Sequence, residues 1–271
     1  MPELPEVETT RRGIEPHVLG CRISELRLRE ARLRWPVSDA LAGEVRGQRV
    51  LAVERRGKYL LLRLPRGALM IHLGMSGSLR ILPAALPAAP HEHADLVFED
   101  GRLLRYTDPR RFGSLHWVPG PALGHPLLDH LGPEPLGNAF DGDYLFRRSR
   151  GRRACVKVFI MDARTVVGVG NIYASEALFR AGILPARAAG RISLRRYHAL
   201  AVSIRAVLTE AIAAGGTTLR DFVGGSGQPG YFRHDLRVYA REGEPCRLCA
   251  TPLRQRRLGQ RATYFCPNCQ R

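Results

Sequence analysis

The stretch DLVFEDGRLLRY, residues 95–106, decides the fold class of the first half of the chain. Two short runs, Asp95 to Glu99 and Arg102 to Tyr106, flank Asp100-Gly101, the strongest short-range hairpin signal, because tight two-residue turns need residues that tolerate positive φ. Working outward, Leu26 and Leu28 alternate with Arg27 and Arg29, and Val50 to Val53, Tyr59 to Leu64, Ala68 to Leu73 and Leu115 to Val118 also read as short strands. Arg56-Gly57 and Pro65-Arg66-Gly67 supply further turns. So many short strands in roughly a hundred residues predict a β-sandwich or barrel.

Before the strands, Val7, Ile14 and Val18 fall at helical intervals between Leu4 and Leu19, with Pro5 suited to the first turn and Glu6 and Glu8 placed for the helix dipole. Pro16 is expected to kink or end this helix early. Leu82 to Pro90 is Pro/Ala-rich and reads as a loop, and Pro119 to Pro135 as a hinge, after which strand patterning stops. Tyr144 to Arg148, Ala154 to Met161, Tyr173 to Ala181 and Leu194 to Ala214 carry helical spacing; in the last, Leu194, Tyr197, Leu200, Ile204, Leu208 and Ala211 share a face, with Ser193 to cap its start and Gly215-Gly216 its end. Gly224 to Gly230 reads as a Gly-rich loop.

With 42 Lys and Arg against 25 Asp and Glu, the 271-residue chain carries a formal charge of +17. That surplus points to a polyanion, since neutralising phosphates releases counterions. The basic residues are not confined to one amphipathic helix, as a membrane anchor would require. No stretch reaches the ~18 apolar residues of a spanning helix, and no secretory leader pattern is seen, so a cytoplasmic protein is expected. Only Lys58 and Lys157 are lysines, so forty of the 42 basic residues are Arg. Where guanidinium serves so widely, the two ammonium groups become candidates for compact contacts or proton transfer, although coding bias alone produces such a ratio.

Cys246 and Cys249 bracket two residues, sixteen intervene, and Cys266 and Cys269 bracket two more. This is the spacing of a four-thiolate zinc site rather than a redox dithiol, and four Cys leave no open position for water, so one structural Zn2+ is expected. Between the knuckles lie Arg254, Arg256, Arg257 and Arg261, a phosphate-binding finger in outline. Asn171 follows the glycine-rich run Val166 to Gly170 at a helix start, a ready anion site. Arg147, Arg148, Arg150, Arg152, Arg153 and Lys157 precede it, which reads as a DNA backbone clamp.

Pro2 would be a free secondary amine once Met1 is trimmed, titrating near about 7.7–8.0 and nucleophilic at neutral pH, or else merely a stiff terminus. HLGMSG (72–77) and DPRRFG (108–113) each follow a strand. By pattern, Met75 and Phe112 read first as core packing; the alternative is an apolar wedge for a base stack, with Arg110 as donor beside it.

Pro2 to Glu8, the Lys58 segment, the Met75 and Arg110/Phe112 loops, Val167 to Ala177 and the four-Cys finger together resemble the bacterial formamidopyrimidine-DNA glycosylase family, in order and end to end. The resemblance implies an α+β protein: an N-terminal two-layer β-sandwich with an N-terminal helix (1–133), a helical helix-two-turn-helix domain (134–225), a linker that ends a base-covering loop (226–236) and a zinc finger (237–271). It implies a monomer acting on damaged double-stranded DNA in the bacterial nucleoid, excising oxidised purines and then cleaving the abasic strand. By similarity Pro2 is the nucleophile, Glu3 a proton donor, Glu6 a residue of the same pocket, and Lys58 and Arg261 belong to the elimination stages. A guanidinium does not give up its proton readily, so Arg261 suits phosphate positioning better. His91, Arg110, Arg152, Lys157 and Asn171 fall on DNA-contact positions, Met75, Arg110 and Phe112 on residues that fill the gap of an everted base, and Gly224 to Tyr231 on the loop covering it. Arg152 and Ala250 depart from the usual Lys and Gly. A noncatalytic DNA-binding protein would not need Pro2, Glu3 and Lys58, and an RNA-binding translation factor would not need the wedge loops.

Overall fold

The computed structural model describes residues 2–120, 124–217 and 236–271. They form two compact units, one of residues 2–129 with 214–217 and one of 130–213 with 236–271. The expected loop from Gly224 to Tyr231 lies outside the described residues.

The first unit opens with helix α1 (Leu4–Val18), followed by β1 (Ile23–Leu28), the short helix α2 (Leu41–Val45), β2 (Ala52–Arg56), β3 (Tyr59–Leu64), β4 (Gly67–His72), β5 (Ser78–Pro83), β6 (Glu92–Phe98), β7 (Arg102–Thr107) and β8 (Ser114–Pro119). The strands make two antiparallel four-stranded sheets, ordered β1-β6-β7-β5 and β2-β3-β4-β8. Period-two patterning sends Leu60, Leu62, Leu69 and Ile71 from one sheet and Ile23, Leu96, Leu104 and Tyr106 from the other into a single buried cluster. Val7, Ile14 and Val18 of α1 join it, so the expected amphipathic face is the one that packs. Each such side chain contributes about 1.5–3 kcal/mol on burial.

Two local expectations are corrected. Helix α1 continues through Pro16 to Val18, and the Leu19 N–H still reaches the Glu15 carbonyl at 3.0 Å. A proline in the last turn forfeits one intrahelical bond and leaves little helix beyond it to kink. Strand β5 runs into the segment read as loop, pairing Leu82 with Leu103 and Pro83 with Arg102. It is an edge strand, where proline is tolerated.

The second unit contains α3 (Gly142–Ser149), α4 (Val156–Met161), α5 (Asn171–Arg180), α6 (Leu194–Ala213) and the hairpin β9 (Arg254–Leu258) with β10 (Arg261–Phe265). Asp141 caps α3 by accepting from the Tyr144 N–H at 2.7 Å. On α6, Tyr197, Leu200, Ile204, Leu208 and Ala211 are buried as their spacing requires, while Leu194 at its start is exposed. Gly259 and Gln260 turn the β9–β10 hairpin with positive φ (52° and 58°), the geometry a tight two-residue turn demands. Among the described residues no helix is long and apolar enough to cross a membrane.

Candidate active site and nucleic-acid interface

Pro2 is buried and immediately precedes Glu3, the N-cap of α1. The Glu3 N–H donates to Glu6 Oε2 at 2.8 Å, one half of a capping box that fastens the N-terminal turn. Glu6, only 2 % exposed, uses its other oxygen to accept the Thr217 N–H, also at 2.8 Å. Both carboxylate oxygens are therefore committed to backbone amides. Nearby on the same helix, burial pushes the Glu8 carboxyl up, but hydrogen bonds from Arg11 and Arg12 and the charge of Arg55 outweigh it and hold the group below the usual carboxylate range.

Lys58 sits half-buried at the β2–β3 turn, next to Gly57 with φ 57°. Tyr59, the next residue, packs its ring 4.8 Å from that of His72 at the end of β4, the two planes tilted by 55°. Burial, then the charges of Lys58 and Arg34, lower the His72 pKa to about 4. The neutral ring accepts the Gly74 N–H on Nδ1 at 3.0 Å, so His72 braces the start of the Met75 loop. His72 opens the run HLGMSG, but its bracing role is not legible there because it depends on burial beside Tyr59 of the paired strand.

Met75 is half-buried, whereas Arg110 and Phe112 are exposed with the guanidinium 4.8 Å above the ring. Phe112 is 43 % exposed, which overturns core packing as its role. The two loops touch backbone to backbone: Gly74 has φ 62°, and a Cβ there would lie 2.4 Å from the Gly113 nitrogen. His91 is also exposed, held in the left-handed region at φ 69°. That conformation is uncommon for a residue with a Cβ and marks a constrained position.

In the second unit Asn171 is the first residue of α5, behind Gly170 as N-cap. Its Oδ1 accepts from Lys157 Nζ at 2.6 Å, and its Nδ2 donates to the Ala262 carbonyl at 3.1 Å. Lys157, expected on the DNA surface, is wholly buried and also donates to the Ala262 carbonyl (3.0 Å) and Thr263 Oγ1 (2.8 Å). It is a strut between α4, Asn171 and the β9–β10 hairpin, because an ammonium has three protons and here each finds an acceptor inside the protein. Arg152 is exposed and lines an open concavity of about 610 Å³ with Tyr144, Arg147, Arg148, Arg150 and Gly151. Arg261, at the start of β10, and Arg254, Arg256 and Arg257 on β9 are exposed. No sequence motif marks Glu176, which is buried in α5 and accepts the N–H groups of Arg237, Val238 and Tyr239 at 2.9–3.0 Å. Its partners lie some sixty residues on, out of reach of any local pattern.

The four Cys ligand atoms lie within 4.8 Å of one another, with Cys246 to Cys269 at 3.9 Å and Cys249 to Cys266 at 3.5 Å. Four Zn–S bonds of about 2.3 Å imply sulfur–sulfur edges near 3.8 Å, so the cluster fits one tetrahedral, structural Zn2+. Cys246 and Cys266 pack with Leu253, Val238 and Phe179 of α5. Gln270 fixes the end of the finger by accepting the Cys266 N–H at 2.8 Å and donating to the Ile183 carbonyl at 2.9 Å.

Three family descriptions match in order: Formamidopyrimidine-DNA glycosylase N-terminal domain over residues 1–115, the H2TH domain of the same glycosylase over 131–223, and Zinc finger found in FPG and IleRS over 243–271. The chain belongs to the formamidopyrimidine-DNA glycosylase family. The formamidopyrimidine-DNA glycosylases of Stutzerimonas stutzeri and Methylococcus capsulatus are each 62 % identical to it over 271 residues, covering 100 % of both chains. Among solved structures it resembles the MutM (FPG) protein of Thermus thermophilus, with TM-score 0.90, 42 % identity and 99 % and 98 % of the two chains covered. A Lactococcus lactis FPG variant in complex with Fapy-dG-containing DNA gives TM-score 0.92 at 32 % identity, covering 100 % of both chains. The chain is thus a DNA glycosylase of base excision repair, and the α+β fold with β-sandwich, helix-two-turn-helix and four-Cys finger is the family's.

Proposed function

We propose that this glycosylase excises oxidised purines, 8-oxoguanine and formamidopyrimidines, from duplex DNA through an iminium on Pro2, and then cleaves the abasic strand by β,δ-elimination. The observation that carries the reading is the N-terminal turn: Pro2 stands beside an N-cap Glu3 whose amide is fixed by the buried Glu6. A secondary amine so held attacks C1′ of an everted nucleotide, the base departs with a proton, and the resulting iminium needs no further proton loss to stay cationic. The departing base carries off the proton that Pro2 loses on attack, and Glu3 donates its own proton to O4′ as the C1′–O4′ bond breaks and the iminium forms. The iminium acidifies C2′–H, whose removal expels the 3′ phosphate, and a second elimination expels the 5′ phosphate. Lys58 serves these proton transfers from the β2–β3 turn, and exposed Arg261 holds a phosphate. Solved relatives bound to Fapy-dG-containing DNA and to abasic-site DNA support both halves of the reading.

DNA contact is assigned to His91, Arg110, Arg152 and Asn171, with Met75, Arg110 and Phe112 filling the space left by the everted base; Lys157 supports Asn171 from behind. Exposure of Phe112 beside Arg110 favours this over a core role. Zinc bound by Cys246, Cys249, Cys266 and Cys269 fixes the finger and takes no part in bond breaking. Single-lesion duplexes carrying 8-oxoguanine, formamidopyrimidine or undamaged guanine test the proposal. Excision of the first two, with strand products phosphorylated at both ends, is expected; release of neither lesion would overturn it.

A further inference from the structure

The roles proposed for Met75, Arg110 and Phe112 require three side chains on two loops to keep a fixed relation. Asp108, wholly buried, lies at the base of both loops. Its Oδ1 accepts from Ser76 Oγ at 2.6 Å and from the Arg110 N–H at 3.3 Å. Its Oδ2 accepts from the Gly113 N–H at 2.8 Å and from the Tyr106 hydroxyl at 3.1 Å. Ser76 Oγ in turn accepts from the Arg110 N–H at 3.2 Å, closing a ring between the loops. The main chain of Asp108 reaches a third segment: its N–H donates to the His91 carbonyl at 3.0 Å, and its carbonyl lies 2.7 Å from His93 Nε2.

A carboxylate offers about four lone-pair sites, and here four donors use them. Burial, then the adjacent Asp108, push the Tyr106 phenol up, so it remains a donor through neutral pH. Close packing reinforces the bonding, because a Cβ on Gly113 would lie 1.9 Å from the Tyr106 hydroxyl and one on Gly74 would lie 2.4 Å from the Phe112 carbonyl carbon. Neither loop can move without breaking buried hydrogen bonds in the other. Leaving such a buried group unpaired costs its full desolvation penalty.

We infer that Asp108 is a positioning residue that joins the Met75 loop and the Arg110–Phe112 loop into one rigid wedge, and that the step it governs is entry into the duplex rather than bond breaking. The inference rests on the reading of these loops as the duplex-opening element. Asp108→Asn keeps the shape but presents NH2 to two of the four donors. Ser76→Ala cuts only the link to the Met75 loop and leaves the other donors in place.

The test compares wild type with both variants on two substrates: an oxidised purine in a fully paired duplex, and the same lesion opposite a tetrahydrofuran abasic residue, where no pairing resists eversion. Single-turnover excision is measured alongside the fluorescence rise of 2-aminopurine placed next to the lesion. Each variant is expected to lose about tenfold or more on the paired duplex and less than about threefold on the unpaired one, with the fluorescence rise slowed in parallel. Wild-type rates on the paired duplex, or equal losses on both substrates, would overturn the inference. If Asp108→Asn does not fold, the same ratio for Ser76→Ala decides. Failure of the wild type to release the lesion from either duplex would instead contradict the proposed function.

Discussion

Glu6 Oε1 accepts the Thr217 main-chain N–H at 2.8 Å, joining residues 211 positions apart in sequence. The other oxygen holds the Glu3 amide, so one buried carboxylate ties the N-terminal turn to the chain at Thr217. Glu6→Gln must turn an NH2 toward one of two N–H donors. It is expected to lose about 1–3 kcal/mol in urea unfolding, and, because Pro2 is then less well placed, about tenfold or more in borohydride trapping rate. Unchanged trapping would show that this tie does not position the nucleophile.

Lys157→Arg preserves charge but places a larger, planar fork where three acceptors surround a point charge. Lesion-DNA affinity is expected to fall several-fold at every salt concentration, with the slope of log affinity against log salt unchanged, since no phosphate contact is lost. A salt slope reduced by one contact would place the ammonium on the DNA after all.

The sequence made the sandwich legible because its strands alternate at period two and Asp100-Gly101 closes a hairpin between β6 and β7. It made the metal site legible because four Cys at fixed spacing have few other uses. Strand β5 was obscured by the prolines and alanines that follow it directly, and Lys157 was misplaced because its partners Ala262 and Thr263 lie over a hundred residues away. Asp108 and His72 were hidden for a related reason: what each does depends on loops that meet only after the sheets have formed.

His72 sets an acid limit on stability. Its pKa falls from about 6.5 in the unfolded chain to about 4 in the folded one, so between these values the unfolded state binds a proton that the folded state refuses. The contribution is complete above pH 6.5 and is lost as pH falls toward 4, an effect on the order of 3 kcal/mol. Urea midpoints measured from pH 7 to 4 should fall more steeply for wild type than for His72→Phe. Parallel curves would refute the assignment.

Ala250, in the first zinc knuckle, has φ 58°, a conformation that strains a residue bearing a Cβ. Ala250→Gly removes about 1 kcal/mol of that strain. A higher concentration of chelator should then be needed to strip the zinc, and an unchanged or lower one would contradict the argument.

The proposed chemistry begins with Pro2 as the nucleophile. Borohydride reduction during turnover of an 8-oxoguanine duplex, followed by proteolysis and mass spectrometry, tests it most directly. A stable adduct on the nitrogen of Pro2 is expected, absent when an N-terminal extension turns that amine into an amide, with DNA binding retained. An adduct on Lys58, or no adduct from protein that still releases the base, would contradict it.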